Sequence, residues 1–170
     1  KRIAITLDEC SCSTITSNII KLAQYYDAKL TLFPSGENIL KTGMDTLLRQ
    51  CVEEWGFEIE NRCYSTINRL YQLDDVQMCE EIWKQSMAVN YVLNAHYQPH
   101  FLRLYGNNGV TDARTHAYLM QEGYIGIASW TLSSDATAEK LVNSLSPGNI
   151  YEFKTTEKDA AKMGELLRAA

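Results

Sequence analysis

The sequence predicts one α/β domain over residues 1–170, with helices packed around a parallel sheet or barrel. Two observations predict this class. Short apolar runs alternate along the chain with longer amphipathic stretches, which is the pattern of repeated strand–helix–strand units. Polar residues also recur directly after the apolar runs, and in barrels of this class the functional site lies where the strands end. A chain of 170 residues, 45% of them hydrophobic, can bury a sizeable core.

The first part of the chain alternates strands with helices. Three apolar runs, each closed by polar or turn-forming residues, predict strands at 2–7, 28–33 and 57–59. Apolar residues at helical spacing predict a helix over 17–26. A second helix is expected from a cap at Asp45 to Gly56, which ends it. The loop 61–66 then follows the third strand.

The second part repeats the alternation. A helix begins at Asp74 or Asp75 and extends through Met87. Three further apolar runs predict strands at 101–104, 124–130 and 149–153. Helical spacing predicts helices at 111–122, 136–145 and 156–168.

Charge argues against a nucleic-acid partner, and hydropathy argues against a membrane-spanning segment. The formal net charge is -5 and the pI is about 5.2, which argues against a nucleic-acid partner because the phosphate backbone attracts basic surfaces. No apolar run approaches the ~18 residues that a membrane-spanning helix needs. We therefore expect no nucleic acid and no membrane-spanning segment.

Six segments, in order and in register, resemble one family. Segment 56–66 reads GFEIENRCYST and is similar to a family motif close to GHEIGNHTYSH, while Asp8 and Glu9 fall at the two aspartates of a T-F-D-D-G motif. The other four resemblances lie at 30–36, 101–106, 123–131 and 148–154. The chain thereby resembles the polysaccharide deacetylases, the NodB-homology domain of carbohydrate esterase family 4. This resemblance implies an irregular (β/α) barrel.

The same resemblance implies a chemistry and assigns residues to it. Members of the family use a divalent metal such as zinc to hydrolyse N-acetyl or O-acetyl groups on sugar polymers, the metal polarising the carbonyl and activating water. Carried over residue by residue, Asp8 is the base and Glu9 the carboxylate ligand of the metal. Arg103 holds the base in place, and the backbone N–H of Tyr105 helps to stabilise the oxyanion.

Several positions depart from the family motifs. Arg62 and Thr66 stand where the motif has its two metal-binding histidines, so Glu9 is the one protein ligand left. The aspartate expected after Trp130 falls on Ser133, and Lys154 stands at the histidine that serves as general acid. The sequence therefore predicts that no metal cofactor is held and that the deacetylation chemistry is absent.

Without a metal, the neighbouring carboxylates of Asp8 and Glu9 repel each other unless another cation approaches. Arg62 can bridge them, because a guanidinium forks between carboxylates, and Arg103 and Lys154 would add charge to the same mouth. We expect Arg62 to lie within salt-bridge reach of Asp8 or Glu9, and Arg103 to contact Asp8. In the alternative, Arg62 points into solvent and the sequence of the loop has diverged without giving this residue a role.

Three cysteines, Cys10, Cys12 and Cys63, are expected on facing loops near this site. They could remain free thiols, form a disulfide across the mouth, or bind a soft ion such as zinc. The three histidines are expected on surfaces or loops rather than at a site; they are His96, His100 and His116.

The leading hypothesis is a catalytically silent deacetylase-like domain, kept for glycan binding or for a structural role in a larger protein. Tyr105 and Trp130 are then expected to face the groove. The alternative is an active carbohydrate deacetylase with a rearranged or metal-free site, in which Asp8, Arg103 and Lys154 are base, orienting group and acid. The resemblance implies acetylated glycan or peptidoglycan as the partner and an extracytoplasmic or cell-surface location.

Overall fold

Parallel strands alternate with helices through residues 2–170, the part of the chain that the computed structural model describes. The strands are β1 (Ala4–Glu9), β2 (Thr31–Pro34), β3 (Glu58–Ile59), β4 (Phe101–Leu102), β5 (Gly126–Ile127), β6 (Leu132–Ser133) and β7 (Ile150–Lys154). The helices are α1 (Ser13–Tyr25), α2 (Gly36–Ile39), α3 (Met44–Glu53), α4 (Asp75–Leu93), α5 (Ala113–Gln121), α6 (Ala138–Asn143) and α7 (Glu157–Ala169). Two 3₁₀ turns cover Leu70–Gln72 and Tyr105–Asn107. The predicted α/β class is confirmed.

The strands form two sheets that wrap towards a barrel. One sheet has the order β3-β2-β1-β7-β6, and the other contains β4 and β5. A single parallel bridge between Asn61 and Leu102 joins β3 to β4. Within residues 2–170, no ladder joins β5 to β6, so hydrogen bonds do not close the barrel at that seam. The barrel is irregular for this reason.

Two hydrophobic clusters hold the helices against the sheets. The larger cluster packs the outer face of the five-stranded sheet against its helices, and Leu7, Ile20, Leu48 and Phe153 are fully buried in it. The smaller cluster surrounds β4, the start of α4 and α5. Each fully buried aliphatic side chain contributes about 1.5–3 kcal/mol, so these clusters hold the helices in place on the sheets. No helix within residues 2–170 combines the length and hydrophobicity needed to cross a membrane.

Within residues 2–170, four helices begin at a side-chain cap, whereas α1, α2 and α3 do not. Asp74, and not Asp75, caps α4: its carboxylate accepts the backbone N–H of Gln77, whose side chain accepts the N–H of Asp74 in return. The cap predicted at Asp45 is wrong, because α3 already begins at Met44 after Gly43, which has a φ of 82°. Glycine adopts this left-handed conformation at no steric cost.

The predicted strand 124–130 is also wrong, and its hydrogen bonds explain why. The backbone N–H groups of Ile125 and Ala128 bond to the β4 side, whereas that of Thr131 bonds to the carbonyl of Ile150 at β7. The segment therefore crosses from one sheet to the other, and only residues 126–127 remain in β5. An apolar run predicts burial but cannot show a change of partner strand.

The remaining differences are shifted element boundaries and two short elements that the sequence does not predict, α2 and β6. Helix α1 begins four residues earlier than predicted, and α4 continues beyond Met87 to Leu93. Strand β2 lies at Thr31–Pro34 instead of 28–33 and includes the proline that was expected to stop it. The short helix α2 was not predicted, since four residues are too few for a periodic signal.

We predict that Glu60→Ala lowers the free energy of unfolding by about 2–3 kcal/mol. The buried Glu60 carboxylate accepts the backbone N–H groups of His100 at 2.6 Å and Phe101 at 2.7 Å, and so ties β3 to the start of β4. Urea denaturation measures the loss. The matched control Glu58→Ala removes an exposed carboxylate from the same strand and should change stability by less than about 0.5 kcal/mol. Equal losses in the two variants would contradict this account.

Candidate functional site

The predicted site residues converge where the parallel strands end. Asp8 and Glu9 end β1, Arg62 follows β3, and Arg103 follows β4. The backbone is strained at this end, because Glu9 and two cysteines nearby have φ values between 50° and 68°, which non-glycine residues rarely adopt. Such conformations persist where the surrounding contacts enforce them, and they mark functional sites.

Asp8 and Arg103 form a fully buried ion pair. The Nη1 atom of Arg103 lies 3.0 Å from Oδ1 of Asp8, and both side chains have no exposed surface. The same guanidinium donates to the Thr6 hydroxyl at 3.2 Å and to the Ala128 carbonyl at 2.7 Å, and it stacks 4.3 Å from the centre of the Phe33 ring. The predicted contact between Arg103 and Asp8 is confirmed.

Arg62 supplies a second guanidinium to the same carboxylate. Its Nε atom lies 3.6 Å from Oδ2 of Asp8, and its Nη2 atom lies 3.4 Å from Oε1 of Glu9. The side chain is 7% exposed, and its guanidinium lies 5.4 Å from the centre of the Tyr105 ring. The predicted salt-bridge reach is confirmed, and the alternative of a solvent-facing Arg62 is wrong. At 3.6 Å the contact with Asp8 is an ion pair without a hydrogen bond.

Burial controls the protonation of Asp8. Removal from water raises its pKa from 3.8 to about 6, even though Arg103 and Arg62 both lower it. Burial likewise lowers the pKa of Arg103. The two guanidinium groups therefore offset only part of the cost of keeping this carboxylate charged inside the protein.

The donor set at this position does not fit a divalent metal. Arg62 places a cation between the two carboxylates, where a second cation would be repelled, and the exposed Thr66 offers only a hydroxyl. Across residues 2–170, no three side chains of His, Cys, Asp or Glu come together as a potential metal site. Catalytic divalent sites ordinarily use three protein ligands and leave one position for water.

The mouth above the ion pairs is almost closed. Its cavity measures about 10 Å³, close to the minimum that one water molecule needs, and Arg62, Thr66 and Tyr105 lie in its wall. Tyr105 therefore faces this mouth as predicted. Trp130 does not, since it lines a separate cavity inside the barrel. The side chain of Trp130 is held there by the Arg103 guanidinium, 5.3 Å from its ring centre.

The prediction that Lys154 adds its charge to the cluster of Asp8, Glu9, Arg62 and Arg103 is wrong. It lies beside Asp8 in the β1–β7 register, but its amine lies 3.0 Å from the carboxylate of Asp135. This bond raises the pKa of Lys154 and lowers that of Asp135. The arrangement of base, orienting group and acid is thus only partly assembled: Asp8 and Arg103 meet, and Lys154 does not join them. Ser133 lies in β6 and accepts the backbone N–H of Asp135.

The cysteines and histidines make no centre of their own. All five cysteines are free, so the disulfide considered for Cys10, Cys12 and Cys63 is wrong. Burial raises the pKa of Cys10 well above its usual range and that of Cys63 to about 12, which keeps both thiols protonated and poor ligands. The histidine side chains are exposed, as predicted, at His96, His100 and His116.

Glu152 is a buried member of the cluster that the sequence analysis did not identify. It lies in the middle of β7, is 3% exposed, and its charge raises the pKa of both Asp8 and Arg103. One of its carboxylate oxygens has no hydrogen-bond partner within residues 2–170. A charged residue between Tyr151 and Phe153 in an otherwise apolar strand was the available signal.

Comparison with known proteins establishes the family. The family model described as polysaccharide deacetylase matches residues 1–126, so the chain belongs to the polysaccharide deacetylase family. A search of curated protein sequences found no match.

Solved structures share the fold. A mutant with restored enzymatic activity of BA3943, a family 4 carbohydrate esterase pseudoenzyme from Bacillus anthracis, is 14% identical with a TM-score of 0.83. The alignment covers 99% of this chain and 61% of that one. The family 4 carbohydrate esterase from Streptomyces lividans is 19% identical over 98% of this chain and 86% of that one, with a TM-score of 0.82.

The Bacillus subtilis peptidoglycan deacetylase PdaC, as mutant D285S, is 16% identical over 99% of this chain and 82% of its own, with a TM-score of 0.79. These matches confirm the irregular (β/α) barrel of the NodB type. At sequence identities this low, the matches show a shared fold and not a shared function.

We predict that Arg62→Ala costs about 2 kcal/mol of unfolding free energy at pH 7.5 and less than about 1 kcal/mol at pH 4.5. Breaking a buried ion pair costs ~3–5 kcal/mol, but Asp8 keeps Arg103 and Glu9 is partly exposed, which reduces the loss. Because the pKa of Asp8 is raised to about 6, the folded protein protonates this group in mild acid, where Arg62 no longer has a full charge to offset.

Thermal or urea unfolding at the two pH values measures this difference. Arg69→Ala, which removes an exposed cation seven residues further along, is the matched control and should cost less than about 0.5 kcal/mol at both. A cost for Arg62→Ala that does not change with pH, or that equals the control, would refute the pairing of Arg62 with Asp8.

Proposed function

We propose that this chain is a catalytically silent polysaccharide deacetylase domain in which Arg62 takes the place of the metal. The observation that carries the proposal is the position of the Arg62 guanidinium, within 3.6 Å of Asp8 and 3.4 Å of Glu9. In the active members that the family motif describes, a divalent ion would polarise the acetyl carbonyl and activate water at this point. A guanidinium stabilises the two carboxylates, but it cannot coordinate a water molecule and lower the pKa of that water to ~7, as a metal ion does.

The metal-free alternative has less support from the geometry. A hydrolase without a metal needs a base and an acid on either side of the scissile bond. Asp8 could accept a proton near neutral pH because its pKa is raised to about 6. However, both arginines already contact it, no exposed surface remains on its side chain, and Lys154 is bonded to Asp135.

The closed mouth bears on the choice between glycan binding and a structural role. A cavity of about 10 Å³ beneath Tyr105 does not admit the acetyl group of a sugar without side-chain movement. We therefore favour a structural role, with any contact to acetylated glycan or peptidoglycan confined to the rim around Tyr105. We propose peptidoglycan as that polymer, the one named for PdaC, whose fold this chain shares. A cell-surface or extracytoplasmic location and a place within a larger protein are consistent with this proposal.

We predict that the double variant Arg62→His/Thr66→His gains at least about tenfold in affinity for Zn²⁺ or Co²⁺ over the wild type. The two substitutions remove the competing cation and supply the two imidazoles that the family motif has at these positions. Isothermal titration calorimetry measures the affinity, and the absorption spectrum of bound Co²⁺ reports the coordination number.

The matched control is Arg62→Gln/Thr66→Gln, which removes the same cation without adding imidazole ligands and should bind metal no better than about twofold above wild type. Deacetylation of chitin oligomers by the wild-type protein, abolished by a chelator, would refute the proposal. Activity that persists in the chelator would favour the metal-free alternative.

A further inference from the structure

A second cavity lies inside the barrel and opens at the opposite end from Asp8. It measures about 420 Å³. Its mouth is lined by the first residues of five strands: Ala4, Thr31, Glu58, Phe101 and Ile150. Further in, it is bounded by Thr6, Phe33, Arg103 and Trp130. The Arg103 guanidinium is thus a partition, with the Asp8 and Arg62 cluster above it and this cavity below.

Small side chains create this space. Barrels of this class are normally filled by layers of bulky branched side chains. Here Ala4, Thr6 and Thr31 face inwards from β1 and β2, and Ala128 follows β5. At the seam between β5 and β6, no ladder within residues 2–170 closes the barrel, so no strand pairing holds that side together. The volume falls within the ~300–1,000 Å³ typical of small-molecule sites.

The walls define which kind of molecule fits. Phe33, Phe101, Ile127, Trp130 and Ile150 make the cavity mainly apolar, and hydroxyl groups of threonine and serine lie among them. The mouth is acidic because Glu58 is exposed there, and the chain has a net charge of -5, so an anion is disfavoured.

A cation is disfavoured as well. The inner wall already holds the guanidinium of Arg103, which is paired with Asp8 and would repel a second cation. An ion moved into apolar walls without a partner pays a large desolvation cost. The chemistry that remains is that of a neutral molecule with an apolar body and a hydroxyl or similar group.

We propose that this barrel cavity is a binding site for a neutral, mainly apolar small molecule. Apolar cavities less than half this size bind molecules such as benzene, because the transfer of apolar surface from water drives them in. Phe33 and Trp130, whose rings also contact the Arg103 guanidinium, add aromatic surface to the wall, and Thr31, Ser129 and Thr131 bring hydroxyl groups that can bond the polar end of the ligand. The site lies apart from the closed mouth and does not depend on the proposed loss of catalysis.

The test uses 2-naphthalenemethanol as a neutral probe and 2-naphthoate as its anionic counterpart. Titration is followed by the methyl resonances of Ile127 and Ile150 in ¹³C-labelled protein. We expect saturable shifts of these two methyl groups, a dissociation constant below about 1 mM for the neutral probe, and binding of the anion at least about tenfold weaker.

Two variants fill the cavity: Ala4→Met and Thr31→Met. Each places a flexible apolar side chain in the cavity and should weaken binding of the neutral probe at least about tenfold. The matched control Ala161→Met adds the same atoms at an exposed position of α7 and should leave the affinity unchanged.

Three results would overturn the proposal, and the first two need no variant. They are the absence of saturable shifts up to the solubility limit, shifts confined to methyl groups that do not line the cavity, such as those of Ile82 and Leu119, and unchanged affinity in a folded cavity-filling variant.

Discussion

The buried carboxylate of Asp8, held between two guanidinium groups, is the constraint on which the rest of the structure depends. Taking a carboxylate out of water costs several kcal/mol, and the attraction of close cations offsets this desolvation cost. Arg103 is the inner partner at 3.0 Å, and Arg62 is the outer one at 3.6 Å. Arg103 in turn needs Asp8, since its side chain has no exposed surface, whereas Arg62 is also paired with the partly exposed Glu9. Removing one member leaves a charge that the interior cannot solvate.

This cluster also ties the two sheets together. Asp8 belongs to the five-stranded sheet, while Arg103 follows β4 of the other sheet and bonds the Ala128 carbonyl after β5. Elsewhere in residues 2–170 the two sheets share one backbone bridge, between Asn61 and Leu102. The ion pair therefore crosses the barrel where the ladder does not, and it separates the closed mouth from the apolar cavity below.

The sequence predicted what depends on local pattern and missed what depends on tertiary placement. The α/β class and Asp74 as a possible cap followed from periodicity and capping chemistry. The contact of Arg62 with the carboxylates is tertiary, but it followed from the family motifs, which have a metal ligand at position 62, together with charge balance. The salt bridge of Lys154 to Asp135, and the break in strand 124–130, depend on which segments meet across the barrel. The size of either cavity could not be predicted, because side-chain volumes around a void come from different strands.

The central claim is tested most directly by measuring the pKa of the Asp8 carboxyl group in the wild type and in Arg62→Gln. The chemical shift of its carboxyl carbon, followed by NMR as the pH is changed, gives this pKa. If Arg62 supplies charge that stabilises ionised Asp8, the wild-type pKa should lie at about 6 and should rise by about one unit or more in the variant. Arg69→Gln should leave it unchanged, since that side chain is exposed and seven residues away in sequence. An identical pKa for Asp8 in wild type and Arg62→Gln would show that Arg62 does not take the place of a metal ion's charge.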